Sequence, residues 1–108
     1  ILSSICACSR IASLKSQTGL LDKQREQLRK QISGLQAQIK AAVRQISLLG
    51  EEINSVKTLL RQGNAQKPRL LALQRQQARL KGERGEHEAA ISRAEQTMID
   101  QLKAAFSM

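Results

Sequence analysis

Leu59-Leu60-Arg61-Gln62-Gly63-Asn64-Ala65-Gln66-Lys67-Pro68-Arg69-Leu70-Leu71 is the stretch on which the fold turns. Before it runs a ladder of apolar residues in steps of three and four, and after it the same stepping resumes in a different frame. Gly63 and Asn64 are of the types that accept the left-handed backbone closing a helix. Pro68 suits the first turn of a new one. The interval from Leu60 to Leu70 does not continue the upstream frame, so residues 62–67 read as the tip between two helices.

Upstream, Ile11, Leu14, Thr18, Leu21, Arg25, Leu28, Ile32 and Leu35 begin the ladder, and Ile39, Ala42, Ile46, Leu49, Ile53, Val56 and Leu60 continue it without a skipped step. A heptad held this long marks a coiled-coil seam, with Ile favoured at one core position and Leu at the other. So narrow a stripe requires a partner helix rather than a broad globular core. Ser9 and Ser13 are the candidate N-caps, which leaves residues 1–10 as an irregular start and 11–61 as the first helix. Gly19 and Gly34 lie off the seam and do not break it.

Downstream, Leu70, Leu73, Gln77, Leu80, Arg84, His87, Ile91, Ala94 and Met98 supply the partner stripe on a second helix over 68–103, followed by a tail over 104–108. The predicted fold is therefore all-α, a two-helix antiparallel coiled-coil hairpin. A turn centre between Gln66 and Lys67 satisfies the rule that a positions of one helix face d positions of the other. It sets Leu60 against Leu73, Ile53 against Leu80, Leu49 against Arg84, Ile46 against His87, Ala42 against Ile91, Ile39 against Ala94 and Ile32 against Gln101. Leu60, Leu73, Ile53 and Leu80 are then the expected best-buried cluster. The front two dozen or so residues of the first helix find no partner stripe in this pairing.

Composition agrees with exposed helices. The 108 residues include one aromatic, Phe106, and one proline, too few rings for a thick core. The formal charge is +9. Its plainer reading is a solvated helix surface, because the positive charges are spread along the chain. No stretch approaches a membrane span. Cys6 and Cys8 stand too close for an easy internal bridge and lack histidines beside them for a metal. Glu83, Glu86 and Glu88 flank His87, but helical spacing sends them to different faces. With no nucleophile–base pair and no phosphate-binding loop, the sequence points to a non-enzymatic protein without cofactor or metal.

The turn sequence from Leu59 to Leu73, the run Leu80-Lys81-Gly82-Glu83-Arg84-Gly85-Glu86 and the segment Ile91-Ser92-Arg93-Ala94-Glu95 resemble the hairpin of HlyD-type periplasmic adaptors, the membrane fusion proteins, and most of all those of type I secretion systems. The resemblance covers about Ala12 to Thr97. It implies a periplasmic hairpin in a protein anchored in the inner membrane, packed beside neighbouring adaptor protomers. Its tip would meet a TolC-like outer-membrane channel, and an ABC exporter would be engaged through parts this chain lacks. The family's tip motif is an Arg, a Leu and a Ser seven apart. Here Leu59 matches, while Ser55 and Gln66 stand where the Arg and the Ser belong. Leu59, Arg61, Gln66 and Arg69 are the candidate partner-binding residues. Two other readings stand beside this one. An unrelated coiled coil could homo-oligomerise through its Ile and Leu positions, but a parallel rod has no use for the Gly-Asn…Pro break. A basic helical protein could bind nucleic acid, with binding that falls steeply with salt.

Overall fold

The computed structural model describes residues 2–64 and 66–107, with side chains from Cys8 onward. Helix α1 runs Leu2–Arg61 and helix α2 runs Lys67–Ser107. The fold is the two-helix antiparallel coiled-coil hairpin that the broken heptad predicts. The irregular start predicted over 1–10 is a difference: α1 is helical from Leu2, and Ser9 and Ser13 lie inside it rather than capping it. The segment holds neither Gly nor Pro before Ser9, so nothing in it stops helix propagation. The predicted tail over 104–108 is likewise helical through Ser107.

The chain divides into two compact units, a turn unit of Ser33–Arg93 and a terminal unit of Ile1–Ile32 with Ala94–Met108.

In the turn unit, α1 ends in a Schellman cap. The Asn64 N–H donates to the Leu59 carbonyl at 2.8 Å and the Gly63 N–H to the Leu60 carbonyl at 3.0 Å. Gly63 has φ 76°, the left-handed conformation this cap requires at C′. The Arg69 N–H donates to the Gln66 carbonyl at 3.2 Å as α2 begins. The reversal therefore lies between Arg61 and Lys67, with its cap at Gly63 and Asn64, ahead of the centre expected between Gln66 and Lys67.

That earlier cap moves the register. Gln77 Nε2 donates to the Ile46 carbonyl at 3.3 Å, and a Cβ placed on Gly50 would lie 3.6 Å from the same nitrogen. Carried along the three-four steps, this offset sets Leu70 opposite Val56, Leu73 opposite Ile53, Gln77 opposite Leu49 and Leu80 opposite Ile46. Arg84 then faces Ala42, His87 faces Ile39 and Ile91 faces Leu35. Each residue of α2 sits one heptad earlier along α1 than the predicted pairing, as with Leu80, which moves from Ile53 to Ile46. The seam stripes were right and the pairing across them was not, because a heptad pattern matches itself again after seven residues.

The burial follows the corrected pairing. Ala42, Leu49, Ile53 and Val56 are buried. Of the expected cluster only Ile53 joins them, while Leu60, Leu73 and Leu80 are half-buried. Leu60 now lies beside the open turn, which accounts for its exposure. Ala42 is covered without a large apolar residue opposite, since the Arg84 stem can lie across it while its charged head reaches water.

In the terminal unit, Gln101 Nε2 donates to Gln24 Oε1 at 3.5 Å. Gln101 was predicted opposite Ile32. The observed bond puts it opposite Arg25 instead, the same one-heptad shift, with Met98 facing Leu28 and Ala94 facing Ile32. Leu21, Arg25, Leu28 and Ile32 are half-buried, and no described residue of this unit is buried. Further toward the start of α1, Ile11 and Leu14 are 53% and 61% exposed. Thr18, at a seam position, donates its hydroxyl to the Leu14 carbonyl at 2.8 Å, so its polar group is satisfied within its own helix.

Candidate functional site

The turn places the four candidate partner-binding residues. The Schellman cap fixes Leu59 and Arg61 on the last turn of α1, and Gln66 and Arg69 flank the start of α2. All four are exposed, Leu59 at 42% despite its apolar side chain. Leu71, one turn into α2, is exposed to a similar degree at 45%, and sequence reasoning did not single it out. Its signal is legible in the ladder: Leu71 is adjacent to seam residue Leu70, so it cannot also face the seam. The turn end thus carries two apolar side chains among cations, on backbone held by a hydrogen-bonded cap.

The core residues proposed from sequence occupy the seam. Leu35, Ile39, Ile46, Leu49, Ile53, Val56, Leu60, Leu73, Leu80 and Ile91 are buried or half-buried in the turn unit, and Ile32 is half-buried in the terminal unit. Gln77 joins them as a polar seam residue whose amide is used to bond across to α1. A shallow open groove beside this seam is lined by Gln45, Leu48, Leu49, Glu52, Arg79 and Leu80.

Elsewhere the side chains show ordinary surface behaviour. His87 is half-buried on the seam. Glu88, one of the three acids near it, lies 3.8 Å from Arg84 Nε as an i,i+4 pair, an arrangement that contributes little on an exposed surface. Among the described residues no three His, Cys, Asp or Glu side chains gather in a way that could hold a metal ion. Cys8 is a free, exposed thiol, whereas the Cys6 side chain lies outside the described residues. No described helix is long and apolar enough to cross a membrane.

A family model described as AprE, long alpha-helical hairpin, matches residues 8–105. The match takes in both helices and the turn between them. This chain belongs to that hairpin family. It is also 37% identical over 86 residues to the type I secretion system membrane fusion protein PrsE of Rhizobium meliloti (strain 1021), an alignment covering 80% of this chain and 20% of PrsE. The chain therefore spans about a fifth of the length of that relative. No solved structure matches it. The resemblance read from the turn is thus correct at the level of the family: the chain is a hairpin of the adaptor type.

Proposed function

We propose that this chain is the periplasmic hairpin of a type I secretion adaptor, a protein that links an inner-membrane ABC exporter to a TolC-like outer-membrane channel and so supports protein export. The observation that carries the reading is the 37% identity to a type I secretion membrane fusion protein over four-fifths of this chain. The geometry is compatible with it, because a two-helix seam with few buried residues is a spacer and not a catalytic fold. The working surface on this reading is the turn end, with Leu59, Arg61, Gln66 and Arg69 facing the channel. Inner-membrane anchoring and contact with the exporter fall to other parts of the full-length protein, and neighbouring protomers of the adaptor pack beside the hairpin away from its turn end. Each tip contact is small, so several protomers acting together supply the strength of the junction.

The test uses a full-length membrane fusion protein carrying this hairpin in a strain that exports a reporter substrate. Leu59→Asp puts a charge at an exposed apolar tip position and should abolish export while leaving protein level and helix content unchanged. Lys23→Asp changes the charge of an exposed residue in the terminal unit and should do little. If the two substitutions behave alike, the hairpin is a spacer without a docking tip.

A further inference from the structure

The net charge is concentrated where the chain turns. Between Ile53 and Gly82 stand seven Lys or Arg residues and not one Asp or Glu. Outside that stretch, the remaining 11 of the 18 cations face all 9 acids, which leaves only +2 of the total +9. Lys57 and Arg61 come from α1; Lys67, Arg69, Arg75, Arg79 and Lys81 come from α2; all seven are exposed. No ion pair involves any of them among the described residues.

Arg61 complements the dipole at the end of α1, but two features say that the charge on α2 does not serve the fold. The first turn of α2 carries no acid and instead holds Lys67 and Arg69, cations at the end of a helix whose dipole already favours anions. The cations also surround α2 instead of forming one face. At about 100° per residue, Lys67, Arg75, Arg79 and Arg69 stand at roughly 0°, 80°, 120° and 200°, and Lys81 at roughly 320°. The seam residues Leu70, Leu73, Gln77 and Leu80 fill the remaining arc, from roughly 220° to 300°. From Lys67 to Lys81 the charge extends along the axis by about 21 Å, at 1.5 Å per residue.

From this distribution we infer that the turn end seats inside a concave, carboxylate-lined mouth of a protein partner. A flat anionic surface met end-on reaches Arg61, Lys67 and Arg69, but Arg79 and Lys81 then lie beyond a screening length of about 8 Å. A flat surface met side-on reaches one side of α2 and leaves the others in water. A mouth that encloses the end engages the whole ring. Four of the seven cations are Arg, whose planar fork pairs bidentately with carboxylates, and exposed Leu59 and Leu71 add apolar contact within the same collar. The single aromatic of the chain, Phe106, is far from this stretch in sequence, so the stacking platform that single-stranded nucleic acids use is missing from it. The inference deepens the channel-docking reading and rests on it.

The experiment presents the 108-residue chain at high density on a biosensor, so that avidity compensates for weak single contacts. The cognate TolC-like channel in nanodiscs, and protein-free phosphatidylglycerol nanodiscs, are passed over it. Three double variants are compared with the parent: Arg61→Glu with Arg69→Glu at the end, Arg75→Glu with Arg79→Glu further back, and Arg29→Glu with Lys30→Glu in the terminal unit. Enclosure requires that the end pair and the back pair each weaken channel binding about tenfold or more, as reversing complementary interface charges does, while the terminal-unit pair changes it less than about twofold. Circular dichroism confirms that helix content is kept, and neutral Arg75→Gln with Arg79→Gln should give a smaller loss than the reversal. Channel binding lost only with the end pair overturns enclosure and leaves tip docking standing. Equal losses for all three pairs, or equal binding to the protein-free nanodiscs, overturn it in favour of bulk charge or a lipid surface. A parent chain that does not bind the channel overturns the docking reading and this inference together.

Discussion

The turn unit and the terminal unit are built from the same heptad, yet among the described residues only the turn unit holds buried ones. Around Ile53 and Val56, each 5% exposed, large apolar residues stand on both sides of the seam: Leu73 faces Ile53 and Leu70 faces Val56. In the terminal unit the corresponding layers are Arg25 with Gln101, Leu28 with Met98 and Ile32 with Ala94. A periodic stripe is therefore enough to align two helices but not enough to dry the space between them. Dry packing needs enough apolar volume gathered over neighbouring layers, and in the terminal unit the Arg25–Gln101 layer is polar on both sides while Ile32 meets only the small Ala94.

Four substitutions test that contrast. The largest effect is expected for Ile53→Ala, which removes the centre of the dry layers and should cost about 2–4 kcal/mol in denaturant unfolding. A loss below about 0.5 kcal/mol would mean that the turn unit is no better packed than its counterpart. Next comes Gly63→Ala, which forces a side chain into the left-handed cap at φ 76° and should cost about 1–2 kcal/mol. A neutral result would show that the turn, and with it the register, is set elsewhere. Gln101→Leu should go the other way. Gln101 Oε1 is buried without a hydrogen-bond partner, and removing such a group in favour of apolar volume should raise stability by up to about 1 kcal/mol. No gain would mean that the polar layer at Arg25 is not what keeps the terminal unit loosely packed.

The smallest effect concerns the front of α1. Ile11 and Leu14 present an exposed apolar stripe, and the parent chain should gain helicity with concentration as copies associate through it. Leu14→Lys should flatten that dependence while changing the helix content of a dilute sample little. Sedimentation showing a monomer at every concentration, with or without the substitution, would remove the stripe from the account.

Much of this was legible in the sequence, and what was not has a specific cause. The stripes from Leu21 to Leu60 and from Leu70 to Met98 follow from the three-four stepping, and each of their members is buried or half-buried. The register did not follow, because shifting a heptad pattern by seven residues leaves every a position facing a d position. Local chemistry decides between the offsets. Gly63 takes the cap earlier than the midpoint of the polar stretch suggests, and Gln77 finds the Ile46 carbonyl beside Gly50, where no side chain stands between them. Leu60 was over-rated as a core residue for the same reason.

The candidate docking end divides in the same way. Its location was readable from the break around Gly63 and Pro68, whereas its charge was not recognised. The cations are evenly spread in sequence, so counting them reveals nothing. The missing acids between Ile53 and Gly82 carry the signal, and an absence is harder to notice than a run.

The self-matching of the seam also bears on how such a hairpin changes length over evolutionary time. A duplication of seven residues in both helices leaves every stripe, every facing layer and the capped turn as they were. It lengthens the coil by about 10.5 Å at 1.5 Å per residue. Seven residues gained by one helix alone slide its partner stripe by a whole repeat, which the seam tolerates and the Gln77 bond to Ile46 does not. Gains that are not whole heptads turn the stripe off the seam. The helices behave as a ruler graduated in heptads, and the amide bond beside Gly50 is the mark by which the two scales are read against each other.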